Sequence, residues 1–491
     1  MIAFGFDNTY TRLPDRFYAR LAPTPVANPA LVRLNAPVAR MLGLDPDALT
    51  GPEGAAVFAG NAVPADADPA ALAYAGHQFG YFSPQLGDGR ALLLGEIVGR
   101  DGVRRDVQLK GSGPTPFSRN GDGRAALGPV LREYLISEAM AGFGIPTTRS
   151  LAAVTTGEPV YRETALPGAV LTRVAASHIR VGTFQYFAAR QDIEAVRLLA
   201  DYTIGRHDPE AKGTADPYRA MLAGVVARQA DLVAQWLLVG FIHGVMNTDN
   251  AAVSGETIDY GPCAFMDAYD PGTVFSSIDE LGRYAYANQP GIAHWNVTRL
   301  AEALLPLLAP ETDAAVEIAK EVLAGFGPRF EAAYLGGLRR KIGLATSEDG
   351  DGALIKDLLS RMKDNAADFT LTFRRLAAAA SGPEGDAAVR SEFTDPAAYD
   401  GWASAWRSRL AREPGAPAAR RAAMEAVNPA YIPRNHVVEE ALQAAVSRQD
   451  YGPFEAMLAV VVRPFEERPG LERYATPPLP DQRVLQTFCG T

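Results

Sequence analysis

The sequence predicts an α+β protein, and three observations carry that prediction. Apolar runs of strand length or strict alternation fall between about residues 91 and 174, separated by Gly-rich turns. A long amphipathic helix then opens at Asp216 and Pro217, residue types suited to a helix N-cap and first turn. From about Thr273 onward, helical patterns divided by Pro/Gly turns dominate.

Composition narrows the function classes. With 491 residues, 47% hydrophobic and 21% charged, the chain has room for two or three domains and an ample core. A net charge of −10 and the lack of any Lys/Arg-rich run argue against nucleic acid as a partner. No apolar stretch approaches 18 residues and the N-terminal sequence lacks a signal-peptide pattern, so a cytoplasmic protein without membrane partners, working as a monomer, is expected. Two cysteines, Cys263 and Cys489, make neither a disulfide framework nor a zinc motif. The 47 basic residues include only six lysines, and Lys110 is the sole one in the first 211 positions. An isolated lysine in an arginine-rich chain suggests chemistry that needs a compact ammonium, although a surface lysine would look the same.

In chain order, residues 1–70 read as an extension with helical pieces at 15–21 and 29–42. A Gly-rich turn follows, in which Gly87 and Gly89 would let backbone N–H groups approach a phosphate with Arg90 beside them; a tight hairpin is the commoner meaning of such a pair. Residues 91–98 read as a strand. The alternation at 105–110 puts Val107 and Leu109 on one face, and Gln108 and Lys110 on the other. The second Gly-rich segment ends at Asp122 and Gly123, a turn signature. A helix from Pro129 to about Gly142 would carry Glu133 toward Lys110. Strands at 150–155 and 169–174 place Arg173 at a strand end and Arg180 in the next connection. A helix at 191–205 precedes the long helix from Asp216, whose stripe of Leu222, Val225, Gln229, Val233 and Trp236 leads into His243.

The stretch from Phe241 to Cys263 concentrates polar chemistry. Asp249 and Asn250 end a loop, the apolar run 251–253 and the turn Ser254-Gly255 follow, and Thr257-Ile258 lead to Asp259. Read as a hairpin, it brings the Asn250 amide opposite the Asp259 carboxylate, oxygen donors suited to a hard cation such as Mg²⁺; a polar surface turn remains the alternative. Beyond it, helices are expected at 298–308, 313–335, 353–363, 396–412 and 435–448, with a short mobile tail.

Taken in order, a Gly-rich turn, a strand lysine, a helix glutamate, a His-to-Asn loop and a hairpin ending in Asp259 follow the order of protein kinases. The fold expected is therefore bilobal and protein-kinase-like: an extension over 1–70, an N-lobe over 71–185, a C-lobe core over 186–300, and an all-α region over 301–491. Val245 stands where kinases keep their base, and valine cannot take a proton. Either the chain only binds nucleotide, or another group moves the proton, Asp249 being the candidate.

The motifs Phe6-Asp-Asn-Thr-Tyr10, Gly76-His-Gln-Phe-Gly80, Gln108-Leu-Lys-Gly-Ser-Gly113, Asn247-Thr-Asp-Asn250, Ile258-Asp-Tyr-Gly-Pro262 and the Cys-Gly-Thr end span nearly the whole chain. Together they resemble the selenoprotein O family of pseudokinase-fold protein adenylyltransferases. The resemblance implies that Gly87, Gly89, Arg90, Lys110, Asp122, Gly123, Arg173, Arg180 and Asp259 contact ATP. It further implies that Asn250 and Asp259 hold Mg²⁺, with Mn²⁺ as the alternative, that Glu133 supports Lys110, and that Asp249 is the base. It implies a reversed ATP, γ-phosphate inward, whose AMP passes to a Ser, Thr or Tyr hydroxyl of a protein substrate while pyrophosphate leaves. Many eukaryotic members carry selenocysteine near the C-terminus; here Cys489 holds that place, and a redox pair with Cys263 is the implied arrangement. Two other functions stay open: a small-molecule phosphotransferase of the aminoglycoside-kinase type, and an ATP-binding pseudokinase without catalysis.

Overall fold

Strand alternation has its consequence in an antiparallel sheet that divides two apolar layers. The structure, a computed structural model, describes residues 2–488. The strands are β1 (Tyr18–Arg20), β2 (Ala30–Leu34), β3 (Ala70–Leu72), β4 (Gly76–Gln78), β5 (Tyr81–Ser83), β6 (Ala91–Val98), β7 (Arg104–Lys110), β8 (Ala125–Ala126), β9 (Arg149–Tyr161), β10 (Ala165–Ala175), β11 (Phe241–Ile242) and β12 (Ala264–Phe265). The main sheet runs β1-β3-β6-β7-β10-β9-β2, with β8 beside β10; β4 pairs with β5 and β11 with β12. Val107 and Leu109 face one way, packing with Leu94, Ile97, Val154 and Val170 under the helices α1 (Ala36–Met41), α2 (Pro46–Leu49) and α3 (Pro52–Ala59). On the other side Leu93, Ala153 and Leu171 meet Leu131 and Leu135 of α4 (Leu127–Gly142).

That second layer continues without a break into the helices α5 (Val181–Ala188), α6 (Ile193–His207), α7 (Pro217–Leu238), α8 (Gln289–Leu308), α9 (Thr312–Leu323) and α10 (Phe326–Lys341). It extends through α11 (Asp351–Asp364), α12 (Phe369–Ala379), α13 (Asp386–Arg390), α14 (Pro396–Leu410), α15 (Pro417–Glu425), α16 (Asn435–Arg448) and α17 (Gly452–Val461). The chain is thus an α+β protein whose last two helices pack back on α4. No described helix is long and apolar enough to cross a membrane.

Several boundaries differ from the sequence reading, each for a physical reason. Residues 15–17 form a single 3-10 turn before β1, and the helix expected at 29–42 divides into β2 and α1. The run of β2 finds a strand partner in β9, and that pairing overrides local preference. The helix expected at 313–335 breaks between α9 and α10, where Gly325 caps the new helix and Pro328 occupies its first turn, a position that needs no N–H donor. The stretch after Asn250 is not a paired hairpin. Its backbone bonds outward, Val181 N–H to Ala251 O, Val253 N–H to Ile179 O and Thr257 N–H to Pro146 O, because buried amides take whichever carbonyl the packing presents. The described part of the C-terminal segment is tied down at Thr487; residues 489–491 lie outside the described residues. Thr487 donates its N–H to Phe275 O (2.7 Å) and its hydroxyl to Pro262 O, and accepts from Ser277 N–H.

Candidate active site

Strand alternation aims Gln108 and Lys110 away from the Val107/Leu109 layer: Lys110 lines a cleft of about 500 Å³, and buried Gln108 bonds Asp88 and Arg173 beside it. That volume suits a nucleotide-sized ligand. Gly87, Gly89, Arg90, Lys110, Asp122, Gly123, Arg173, Arg180, Asp249, Asn250 and Asp259 all line it. Glu133 stands directly behind Lys110, and Cys263 is buried one residue past Pro262, which lines the cleft. Cys489 lies outside the described residues, as does the Cys263–Cys489 pairing; Thr487, two residues earlier, is bonded to Pro262.

The roof is made by the two Gly-rich segments holding each other. Thr115 Oγ1 donates to Asp88 O (2.7 Å), Ser118 Oγ to Gly89 O, and Gly111 N–H to Arg90 O (2.7 Å). Gly87 has φ +72° with the Phe117 ring 2.3 Å from where a Cβ would stand, so any side chain there would force the roof apart. Arg90 and Arg119, both on the cleft, make no ion pair or side-chain hydrogen bond among the described residues. Asp122, on the same cleft, holds Arg162 (2.8 Å) and accepts the Arg124 N–H (2.9 Å) with its carboxylate.

The floor is an ion-pair cluster centred on Asp259. Lys110 Nζ sits 2.6 Å from Glu133 Oε2 and 2.8 Å from Asp259 Oδ1. Arg173 bridges the same two carboxylates, at 2.6 Å from each, and Arg180 Nη1 reaches Asp259 Oδ2 at 3.0 Å. Burial alone would raise the Asp259 pKa, but Arg173, Lys110 and Arg180 outweigh it and hold the carboxyl well below its ordinary range. Glu133 is likewise lowered: burial opposes ionisation, and Arg173 and Lys110 prevail. Asp259 adopts φ +64°, a left-handed backbone unusual for an aspartate, at the centre of this cluster.

Asp249 lies opposite in character. Among the described residues its Oδ2 accepts from Gln78 Nε2 alone, at 3.3 Å, and its buried Oδ1 has no hydrogen-bond partner. Burial lifts its pKa to about 6, partly offset by Arg180. Gly76 makes room for it: a Cβ there would stand 2.4 Å from Oδ1. Two carboxylates on one cleft, one held ionised and one poised near neutrality, are how a protein separates an electrostatic role from a proton-transfer role. Val245 also lines the cleft, while buried His243 bonds Ile258 O (2.9 Å) and is kept neutral by burial, so it ties the loop to the Asp259 turn and does not act on substrate.

The donors fit a hard cation in part. Asn250 Nδ2 is spent on Val245 O (3.0 Å), which leaves the amide oxygen as the ligand atom of that side chain. Among the described residues no three His, Cys, Asp or Glu side chains cluster to hold a metal alone. Mg²⁺ does not require that, since it is commonly bound by one or two protein oxygens with nucleotide phosphates supplying others.

Sequence reasoning missed the residues that position Asp249. His77 N–H donates to Thr248 Oγ1 (2.7 Å) and Phe79 N–H to Asn247 Oδ1 (3.1 Å), while Gln185 bonds both Thr248 Oγ1 and His77 Nδ1. The Gly76-His-Gln-Phe-Gly80 motif was the available signal, without a partner to give it meaning.

A nucleotide-sized cleft rich in cations, with one buried carboxylate held ionised and another raised toward neutrality, is the kind of site a nucleotide-dependent transferase presents. Comparison with known proteins makes this particular. The family model described as protein adenylyltransferase SelO matches residues 1–462, and the chain belongs to that family. It is 68% identical over 490 residues to a protein nucleotidyltransferase YdiU of Bradyrhizobium diazoefficiens, with both chains covered completely. It is 66% identical to the Methylorubrum extorquens strain PA1 protein of the same name, 99% of each being covered, and 64% identical to that of Rhodopseudomonas palustris strain BisB5, each in full. The chain is an enzyme, a nucleotidyltransferase that transfers AMP from ATP to protein substrates.

Proposed function

We propose that this enzyme binds ATP in the reversed sense, within a two-lobed, kinase-like arrangement of residues 71–185 and 186–300. The γ-phosphate lies inward against Lys110, Arg173 and the open guanidinium of Arg90, and the α-phosphate faces Asp249. The observation that carries this reading is the Asp249 carboxyl, buried, with an orphan oxygen and a pKa lifted to about 6. Asp249 takes the proton of a Ser, Thr or Tyr hydroxyl, the oxygen attacks the α-phosphorus, and pyrophosphate departs toward the cation cluster. Arg173 and Arg180, fixed by their carboxylates before substrate arrives, need little reorganisation as charge moves to the leaving group. Asn250 and Asp259 would hold Mg²⁺, which when bound neutralises phosphate charge. A net charge of −10 supports proteins over nucleic acid as acceptors, and we take the working form to be a cytoplasmic monomer.

The test is to supply ATP labelled on the α- or on the γ-phosphate together with a protein acceptor and Mg²⁺. Transfer of α-label alone is expected; γ-label on the acceptor would make the enzyme a phosphotransferase, and no transfer a binding module.

The geometry around Lys110 adds a second expectation. Its ammonium fits between two carboxylate oxygens 2.6 and 2.8 Å away, with the Arg173 fork already occupying the adjoining space. Lys110→Arg is therefore expected to lower kcat/KM by about 10²-fold, since a planar fork cannot take the place of a point charge. Wild-type rates from that variant would reduce Lys110 to a structural partner of Glu133.

A further inference from the structure

Of the twelve large apolar side chains left exposed among the described residues, six lie on three segments gathered at the mouth of the cleft. Tyr81 and Phe82 belong to β5, Ile278 and Leu281 to the loop before α8, and Leu485 and Phe488 to the C-terminal segment. Tyr81 is 83% exposed and Leu281 96%, so neither is explained by the packing of this chain.

These segments are held to one another. The β4–β5 turn lies on the loop, with Phe79 against the Tyr284 ring (5.1 Å) and the Arg283 guanidinium beside Gly80. Phe82 packs on His77, His77 on Trp295, and Arg283 covers Trp295 (5.0 Å). The C-terminal segment joins the same loop through Thr487, bonded to Phe275 and Ser277. Asp279 accepts the N–H groups of Arg283 and Tyr284, which fixes the turn between Ile278 and Tyr284.

The band is also continuous with the reaction centre. Ile278, Gln78 and Phe79 line the cleft, and Gln78 is the residue that bonds Asp249. An acceptor whose hydroxyl reaches Asp249 past Gln78 and Ile278 therefore lays its neighbouring residues along this band.

We propose that the band formed by Tyr81, Phe82, Ile278, Leu281, Leu485 and Phe488 is the protein-substrate docking surface, and that it selects acceptor hydroxyls flanked by bulky apolar side chains. The inference rests on the proposed placement of Asp249 as the group that meets the acceptor. A fixed surface of aromatic and aliphatic anchors beside arginines has the make-up of energetic centres in protein recognition. Its segments are tied to one another by the hydrogen bonds and ring contacts above, which limits the entropy lost on docking.

The test uses two fluorescein-labelled peptides with one central tyrosine, flanked by Leu and Phe in one and by Ser and Gly in the other. N-acetyl-tyrosinamide serves as an acceptor without flanks. Wild type is compared with the Tyr81→Ser/Leu281→Ser double variant, whose side chains are exposed and outside the cleft lining. We expect the Leu/Phe peptide to exceed the Ser/Gly peptide by about tenfold or more in kcat/KM and in affinity by fluorescence anisotropy. The double variant should lose most of that advantage through KM, with transfer to N-acetyl-tyrosinamide and kcat unchanged. Equal affinity for the two peptides overturns the inference. So does a double variant that keeps peptide preference but loses a dimer in sedimentation velocity, which would assign the band to a second copy. Loss of binding to phosphatidylcholine/phosphatidylglycerol vesicles with peptide preference intact would assign it to a membrane, and overturn it equally. Transfer of γ-label with the same flank preference would leave the docking surface standing while removing adenylylation; α-label transfer without preference would do the reverse.

Discussion

Asp259→Ala is expected to reduce AMP transfer by at least about 10³-fold, with loss of the Mg²⁺-dependent part of ATP affinity. The Asp259 carboxylate faces Lys110, Arg173 and Arg180 at 2.8, 2.6 and 3.0 Å. Its removal leaves Lys110 and Arg173 sharing one carboxylate, Glu133, and Arg180 with the Asp249 carbonyl (2.7 Å) and the more distant Asp88 carboxylate (3.8 Å). Arg173 and Arg180 are buried, and breaking a buried pair from one side costs about 3 to 5 kcal/mol, so the nucleotide-free variant should also melt at a lower temperature. The sign with pH follows from the lowered pKa of Asp259. Its stabilising contribution is complete above the ordinary carboxylate value of 3.8 and is lost only as pH falls through the lower folded value. The melting difference between wild type and variant should thus persist across pH 5 to about 8 and shrink in strong acid. Undiminished transfer by Asp259→Ala, measured with α-labelled ATP, would remove this residue from the reaction.

What the sequence made legible was chemistry carried by residue type and local period. Lys110 could be placed because Val107 and Leu109 alternate with it, and Glu133 because one helix pattern follows the second Gly-rich segment. Both ends of the ion pair were readable, and the structure supplied the third and fourth members, Arg173 and Arg180, as direct partners of Asp259. What was not legible depends on contacts between distant segments. Gln78 meets Asp249 across 171 positions, and nothing in either local pattern announces it. The pairing of 251–253 with 179–181, in place of a hairpin, is likewise a property of packing around α7, where Gln229 Nε2 holds Ala252 O and Trp236 Nε1 holds Thr257 Oγ1. The C-terminal segment looked unanchored because its partners, Phe275, Ser277 and Pro262, lie more than 200 residues earlier.

Asp249→Asn is expected to lower kcat by about 10² to 10⁴-fold while leaving ATP affinity near wild type, since the amide keeps the shape but cannot accept a proton. Wild-type kcat should rise with pH through about 6, as the carboxyl loses its proton, and the residual rate of the variant should lack that limb. Stability should move the other way. The folded pKa of Asp249 lies above its ordinary value of 3.8, so its stabilising contribution is complete below that value and is lost as pH rises through about 6. A shift of roughly two units corresponds to about 2 to 3 kcal/mol that wild type forgoes at neutral pH to keep a buried, ionised base with one unbonded oxygen. Asp249→Asn carries no such charge, so it should melt above wild type at pH 7.5, with the difference narrowing toward pH 5. This combination separates a base from a binding or structural residue. A binding carboxylate would lose ATP affinity on substitution, and a structural one would lose melting temperature. Unchanged kcat in the variant, or a wild-type pH profile flat through 6, would remove Asp249 as the proton acceptor.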